Sequence, residues 1–292
     1  MSSSTLTADN KKVLDQFVEF SWKGLRSPVY RTPKEIEGWY IPAKDKNSNK
    51  LIICNHFMPG NRYGFAGHLP GLDSFGGFEV SFLPQYKALV DAGYNVLCYD
   101  LRNHGLSDSA NGNTIGFGTL EWRDVIGSIN YANSRSDTKN MIKSLLSICL
   151  GCNSTFFAMY HKPEAFKDIK CLVGVQPISF GNYIKKNAET MGMNVDEAII
   201  YFNENLKSKN GLTLDNFETW EYAKFDKLPT KILQVKADTW TYPEDVEKIF
   251  DEIDSKEKEL YWITGTDRRF DGYNFLGKNP EVAIEWFDKF MK

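Results

Sequence analysis

The stretch KSLLSICLGCNSTFFAM carries the chain's most reactive arrangement. An apolar, strand-like run (Leu145, Leu146, Ile148) enters Cys149-Leu150-Gly151, and an apolar, helix-like run leaves at once. Small residues, Ser147 and Gly151, stand two places before and two places after the cysteine. This spacing fits a tight strand-to-helix turn that holds a nucleophile clear of the sheet in a strained conformation. The start of the following helix favours negative charge, which makes a thiolate more available for attack. The Leu150 N–H is then aimed at the oxygen where charge develops when a thiolate adds to a carbonyl. Three other readings of the same residues stay open, the first being a turn centred on Asn153, which would leave no competent nucleophile. Cys149 and Cys152 form a C-x-x-C pair, the layout of a thioredoxin-type redox site. A free cysteine beside apolar strands is also often an inert core thiol.

The elements that must position Cys149 follow from hydrophobic patterning. Strand candidates are Ile36–Ile41, Leu51–Cys54, Asn95–Tyr99, Ser144–Ile148, Cys171–Val175, Lys231–Val235 and Glu259–Ile263. Helical patterns lie at Ala8–Lys23, Glu79–Ala92, Leu120–Ala132, Asn153–His161, Pro243–Ile253 and Pro280–Met291. Strands alternating with helices predict an α/β fold with a mostly parallel central sheet flanked by helices. Residues 179–228 break the rhythm, with helical patterns and no strand, and are expected to form a small helical cap inserted in a single domain spanning 1–292. The Gly- and aromatic-rich stretch from Asn55 to Gly77 reads as a long functional loop.

Three further segments give these elements a family likeness. AGYNVLCYDLRNHGLSD resembles the α/β-hydrolase segment G-Y-x-V-x-x-x-D-x-R-G-H-G-x-S, with Asn103 in place of one glycine. LIICNHFMPGN resembles the strand and His-Gly that open the oxyanion loop of that superfamily, with Phe57 where glycine is common. LPTKILQVKADTWTYPEDVEKIF resembles its strand ending in the acid that orients the catalytic histidine. The resemblance spans residues 36 to 291. It implies an α/β-hydrolase fold, a scaffold role for His104, the Phe57 N–H as second oxyanion donor beside Leu150, and Asp238 as the orienting acid, ahead of Asp245. The cysteine at the turn is most similar to dienelactone-hydrolase-like proteins.

The likeness breaks at the general base. The superfamily places a histidine after the last strand, where this chain reads LYWITGTDRRFDGYNF. All four histidines (56, 68, 104, 161) come earlier. Aligning Gly265 with the usual preceding glycine puts Arg268 in the histidine slot, give or take one residue. Arg268 or Arg269 beside Cys149 would favour the thiolate by charge or bind a substrate carboxylate. His56 and His68 are the candidates for a replacement base.

Composition bounds the partners. The chain has 292 residues, 42% hydrophobic, with a net charge of −3. It therefore has ample apolar content for a core and no basic field for nucleic acid or anionic membrane. There is no run of about 18 apolar residues and no apolar signal-type stretch at the N-terminus, so no membrane association is expected. Five cysteines, an odd number, argue against a secreted disulfide framework, and a reduced, cytoplasmic protein is expected. No cofactor or metal is implied. The expected function is a hydrolase-like enzyme acting on an ester, thioester or lactone of a largely apolar small molecule through Cys149. The alternatives are acyl transfer or addition chemistry at Cys149, and a catalytically silent ligand-binding homologue.

Overall fold

Strands with apolar side chains on both faces need cover on both sides, and the seven apolar runs meet that need together. A computed structural model describes residues 36–73 and 76–292; the helical pattern at Ala8–Lys23 lies outside them. In it the seven runs become β1 (Gly38–Ile41), β2 (Lys50–Asn55), β5 (Asn95–Tyr99), β6 (Ile142–Ile148), β7 (Ile169–Val175), β8 (Thr230–Val235) and β9 (Lys258–Ile263). They form one sheet in the order β1-β5-β2-β6-β7-β8-β9. β1 runs antiparallel to β5, and every other neighbouring pair is parallel. This is the mostly parallel sheet that the alternating pattern predicted.

Side chains alternate across the strands and divide the core in two. Leu51 and Ile53 of β2, Leu145 of β6 and Ile232 of β8 face one layer. Ile52, Leu146 and Leu233, their strand neighbours, face the other. The first layer is covered by α2 (Trp122–Ser134), α3 (Leu150–His161), α6 (Thr219–Ala223) and α7 (Pro243–Glu252). The second is covered by α1 (Leu83–Asp91), α8 (Arg269–Tyr273), α9 (Phe275–Lys278) and α10 (Glu281–Phe290). Between β7 and β8 the chain is helical, with α4 (Phe180–Thr190), α5 (Val195–Asn210), a 3-10 turn (Leu214–Phe217) and α6. Phe117, Ile178, Phe180, Ile184, Phe202, Leu206, Leu214 and Phe217 form a separate apolar core there, against which Cys149 packs.

The Gly-rich segment holds a short antiparallel ribbon, β3 (Gly64–Ala66) paired with β4 (Glu79–Ser81). Glu79–Ser81 is therefore strand, and the helix expected from Glu79 begins at Leu83, where Pro84 fits the first turn.

Candidate functional site

Parallel strands gather their C-terminal ends along one edge of the sheet, the usual place for a ligand crevice in such folds. Here Met58 follows β2, Cys149 follows β6, Gln176 follows β7, Asp238 follows β8 and Arg269 follows β9. A small cavity of about 50 Å³ opens at this edge. Its wall is mainly apolar: Met58, Phe117, Ile178, Phe180, Trp240 and Phe270 surround Cys149.

Local chemistry explains the bend at Cys149. The residue caps α3 with φ 48° and ψ −108°, a conformation costly for any L side chain. A side chain at Gly151 would put its Cβ 2.5 Å from the Asn55 carbonyl oxygen, so only glycine lets α3 start this close to β2. Ser147 is tied into the same corner through Asn55 and Thr155. Among the described residues, six non-glycine positions have positive φ. Three are asparagines (103, 111, 113), which tolerate it; the others are Phe117, Cys149 and Gln176. Phe117 and Cys149 line the cavity, and Gln176 bonds Arg269. Strain outside asparagine is thus confined to this edge.

The slot left without a histidine is filled by Arg269. Its guanidinium is buried and uses every arm. Nη1 donates to Asp238 Oδ2 at 2.7 Å, Nε to the Tyr273 hydroxyl at 2.7 Å, and Nη2 to the Gln176 carbonyl at 2.5 Å. Arg269 and Tyr273 line the cavity together with Cys149 and interact electrostatically with its side chain. Burial opposes the Arg269 charge, but Tyr273, Asp238 and Cys149 outweigh it and hold the guanidinium protonated well above the ordinary arginine range. Asp238 Oδ2 also accepts from Thr241 Oγ1 at 2.8 Å and Gln234 Nε2 at 3.2 Å, while Oδ1 caps the Trp240 N–H at 2.9 Å. Burial raises the Tyr273 phenol well above its usual value, with Arg269 pulling it down and Cys149 pushing it up.

The other expected site residues fall as follows. Arg268 is the residue before α8; its side chain is 62% exposed and pairs with Asp271, away from the cavity. The helix start separates the two arginines: Arg268 is extended (φ −91°, ψ 118°) and points outward, whereas Arg269 begins α8 and turns in. His56 is buried with both ring nitrogens engaged: Nε2 accepts the Leu101 N–H at 2.8 Å, leaving Nδ1–H to donate to the Phe57 carbonyl at 2.8 Å. Burial and the adjacent His104 push it well below the usual histidine range, and it has no free nitrogen for base chemistry. His68 is exposed beside the β3–β4 ribbon, 3.9 Å from Glu79, and does not line the cavity. Phe57 is fully buried among Phe82, Phe270 and Tyr273, and from that loop Met58, not Phe57, reaches the cavity with Leu150. His104 is buried, with Nδ1 bonded to the Arg102 carbonyl. Asp245 accepts from the Ser179 N–H and Asn182, fixing the start of α4.

Cys152 is fully buried in the core layer beneath α3 and does not line the cavity, and burial lifts its thiol well above the ordinary range. Among the described residues, no group of three or more His, Cys, Asp or Glu side chains is placed to hold a metal ion. No described helix is long and apolar enough to cross a membrane.

Sequence reading missed Tyr273, Gln176 and Met58. Tyr273 stands four residues after Arg269, a spacing that puts both on one face of a helical turn, and that signal was present in R-x-x-x-Y. Gln176 had no sequence signal, because its contribution is a backbone carbonyl.

No protein-family profile and no curated protein matches the chain. Solved structures do. An esterase from Pyrococcus furiosus is similar at 18% identity and a TM-score of 0.64, over 92% of this chain and 98% of that one. A monoacylglycerol lipase from Paleococcus ferrophilus is similar at 18% identity and a TM-score of 0.55, over 88% and 99%. A dienelactone hydrolase from Anabaena variabilis is similar at 13% identity and a TM-score of 0.52, over 88% and 93%. Together with the sheet order and the bend at Cys149, these likenesses show that the chain has the α/β-hydrolase fold.

Proposed function

We propose that the chain is a hydrolase-like enzyme in which Cys149 attacks an ester, thioester or lactone and carries the acyl group as a thioester. One observation carries the reading: a strained thiol lines an apolar cavity beside a guanidinium that a buried carboxylate holds in place. The thiolate adds to the carbonyl carbon, and the N–H groups of Leu150 and Met58 receive the negative oxygen. Asp238 fixes Arg269 and balances its charge, so an oriented cation stands beside the reacting centre. Since the arms of Arg269 are engaged within the protein, it does not serve as a carboxylate clamp. The apolar wall instead suits a neutral acyl group. The fold neighbours named as esterase, monoacylglycerol lipase and dienelactone hydrolase act in the same reaction class.

A second reading, transfer to a thiol or amine acceptor in place of water, is favoured by one specific feature. Arginine does not give up its proton at working pH, so the residue in the histidine slot cannot activate water.

Incubation with p-nitrophenyl butyrate, followed by absorbance and by intact mass after acid quench, tests both. Wild type is expected to gain one butyryl group, and Cys149→Ala none. Steady release of p-nitrophenol identifies hydrolysis. An adduct that discharges only when a thiol or amine is added identifies transfer. Absence of both adduct and release sinks the proposal in favour of a silent binding protein.

A further inference from the structure

Acyl transfer needs a proton for the departing group, and the residues assigned so far cannot supply one. Arg269 keeps its protons, Asp238 accepts from its neighbours, and His56 is locked into the backbone. Two tyrosines, Tyr183 and Tyr273, line the cavity with the thiol, and of the two Tyr273 is the one bonded to Arg269. We infer that Tyr273 is the proton carrier of this site, the phenol doing the work of the absent histidine; the inference rests on the Cys149 reading above.

The geometry supports it from three sides. The Tyr273 hydroxyl accepts from Arg269 Nε at 2.7 Å, and Tyr273, Arg269 and Cys149 line the same cavity, so the phenol stands with the cation beside the thiol. Its ring is clamped by Phe57, stacked at 4.3 Å, and by Phe270, edge-on at 5.3 Å. The residue is 3% exposed and still lines the cavity, so its proton faces substrate and not bulk water. The titratable groups that act on it are Arg269, Cys149 and Asp238. Burial keeps the phenol protonated, as a donor requires, and Arg269 offers the positive charge that a transient phenolate needs.

The proton balance closes over one cycle. Thiolate adds to the carbonyl carbon, forming the C–S bond. As the intermediate collapses and the C–O bond to the leaving group breaks, the phenol proton passes to the departing oxygen, leaving a phenolate beside Arg269. In the second half the phenolate takes the proton of the acceptor, an alcohol, thiol or water, as it attacks the thioester. The C–S bond breaks, and the thiolate and the phenol are both restored.

A leaving group that departs as a stable anion needs no such proton, and this separates an acid from a structural residue. Acylation of Cys149 is followed by quenched mass for wild type and Tyr273→Phe, with p-nitrophenyl butyrate and ethyl butyrate. Tyr273→Phe is expected to acylate from the p-nitrophenyl ester within about fivefold of wild type. From the ethyl ester it is expected to slow by at least about a hundredfold, the size of a lost general acid. Equal losses with both esters, unchanged rates with both, or a wild type that accepts only the p-nitrophenyl ester overturn the inference while leaving the Cys149 reading intact. A wild type that gains no acyl group from either ester fails the Cys149 reading itself. If Tyr273→Phe does not fold, 3-fluorotyrosine at 273 keeps shape and hydroxyl while sharpening its acidity. The ratio of ethyl to p-nitrophenyl rates should then change, and an unchanged ratio overturns the inference.

Discussion

Two buried arginine–aspartate pairs in this molecule are nearly identical as pairs and differ in everything around them. Arg62 meets Asp100 at 2.8 Å and Arg269 meets Asp238 at 2.7 Å, with each side chain no more than 4% exposed. Asp100 spends its oxygens on scaffold, accepting the Arg62 and Leu106 N–H groups, and the Arg62 guanidinium lies against the Trp39 ring. One Arg62 donor, Nε, finds no partner. Arg269 by contrast has its three nitrogens bonded and lines a cavity with a thiol. A buried ion pair costs desolvation wherever it stands, so burial alone does not distinguish stability from function. The surroundings do: a backbone turn in one case, a thiol on a cavity wall in the other.

Removing one cation from each pair separates the two roles. Arg269→Met and Arg62→Met should each lose about 3–5 kcal/mol in urea unfolding, because each strands a buried carboxylate. Only Arg269→Met should slow iodoacetamide modification of Cys149, because only Arg269 lines the cavity with the thiol. Arg62→Met should stay within about twofold of wild type. Equal slowing in both variants would mean that Arg269 acts through the fold.

A third buried aspartate extends the comparison, for it has no cation. Asp226 is held by Thr230 Oγ1 at 2.7 Å and the Leu228 N–H at 2.9 Å, and burial lifts it to about 7. Burial also raises Asp100, but its backbone N–H bonds and Arg62 work against the rise. Because the folded value of Asp226 lies above the unfolded 3.8, the native state holds a proton that the unfolded chain releases. The group's contribution is therefore complete at low pH and is lost as pH rises through about 7. Between about pH 5 and 8, wild type should lose up to about 3 kcal/mol relative to Asp226→Asn. Parallel pH–stability curves for the two proteins would refute this.

Glycines sharpen the contrast between site and scaffold on a smaller scale. Alanine at Gly151 would meet the Asn55 backbone at 2.5 Å, whereas alanine at Gly127 on α2 meets nothing within 4 Å. Gly151→Ala should cost about 1–3 kcal/mol and perturb Cys149 reactivity. Gly127→Ala should gain about 0.5–1 kcal/mol by helix propensity and leave the thiol alone. Urea unfolding and alkylation rates on the same samples check both.

What was legible in the sequence follows from how far each signal reaches. The seven strands of the sheet were readable because burial on both faces makes continuous apolar runs such as Leu51–Cys54. The β3–β4 ribbon was not, because three-residue strands are too short to show a period. The bend at Cys149 was readable from local spacing, whereas Asp238, expected to end β8, lies in the turn beyond its last residue, Val235. Which arginine turns inward was not, because it depends on where a five-residue helix begins. The engagement of both His56 nitrogens was hidden for a related reason: one partner, Leu101, is 45 residues away.

That one-residue question yields the smallest expected effect and a direct control. Arg268 and Arg269 are chemically identical neighbours, yet one is 62% exposed with Asp271 as its partner and the other is buried against Asp238. An exposed ion pair contributes little, since solvent screens it and ordering two long side chains offsets the attraction. Arg268→Ala should therefore shift unfolding by less than about 0.5 kcal/mol and leave Cys149 alkylation unchanged. If instead Arg268→Ala slowed alkylation as much as Arg269→Met, the charge felt by the thiol would come from the mouth of the cavity. The division of labour between the two arginines would then have to be reversed.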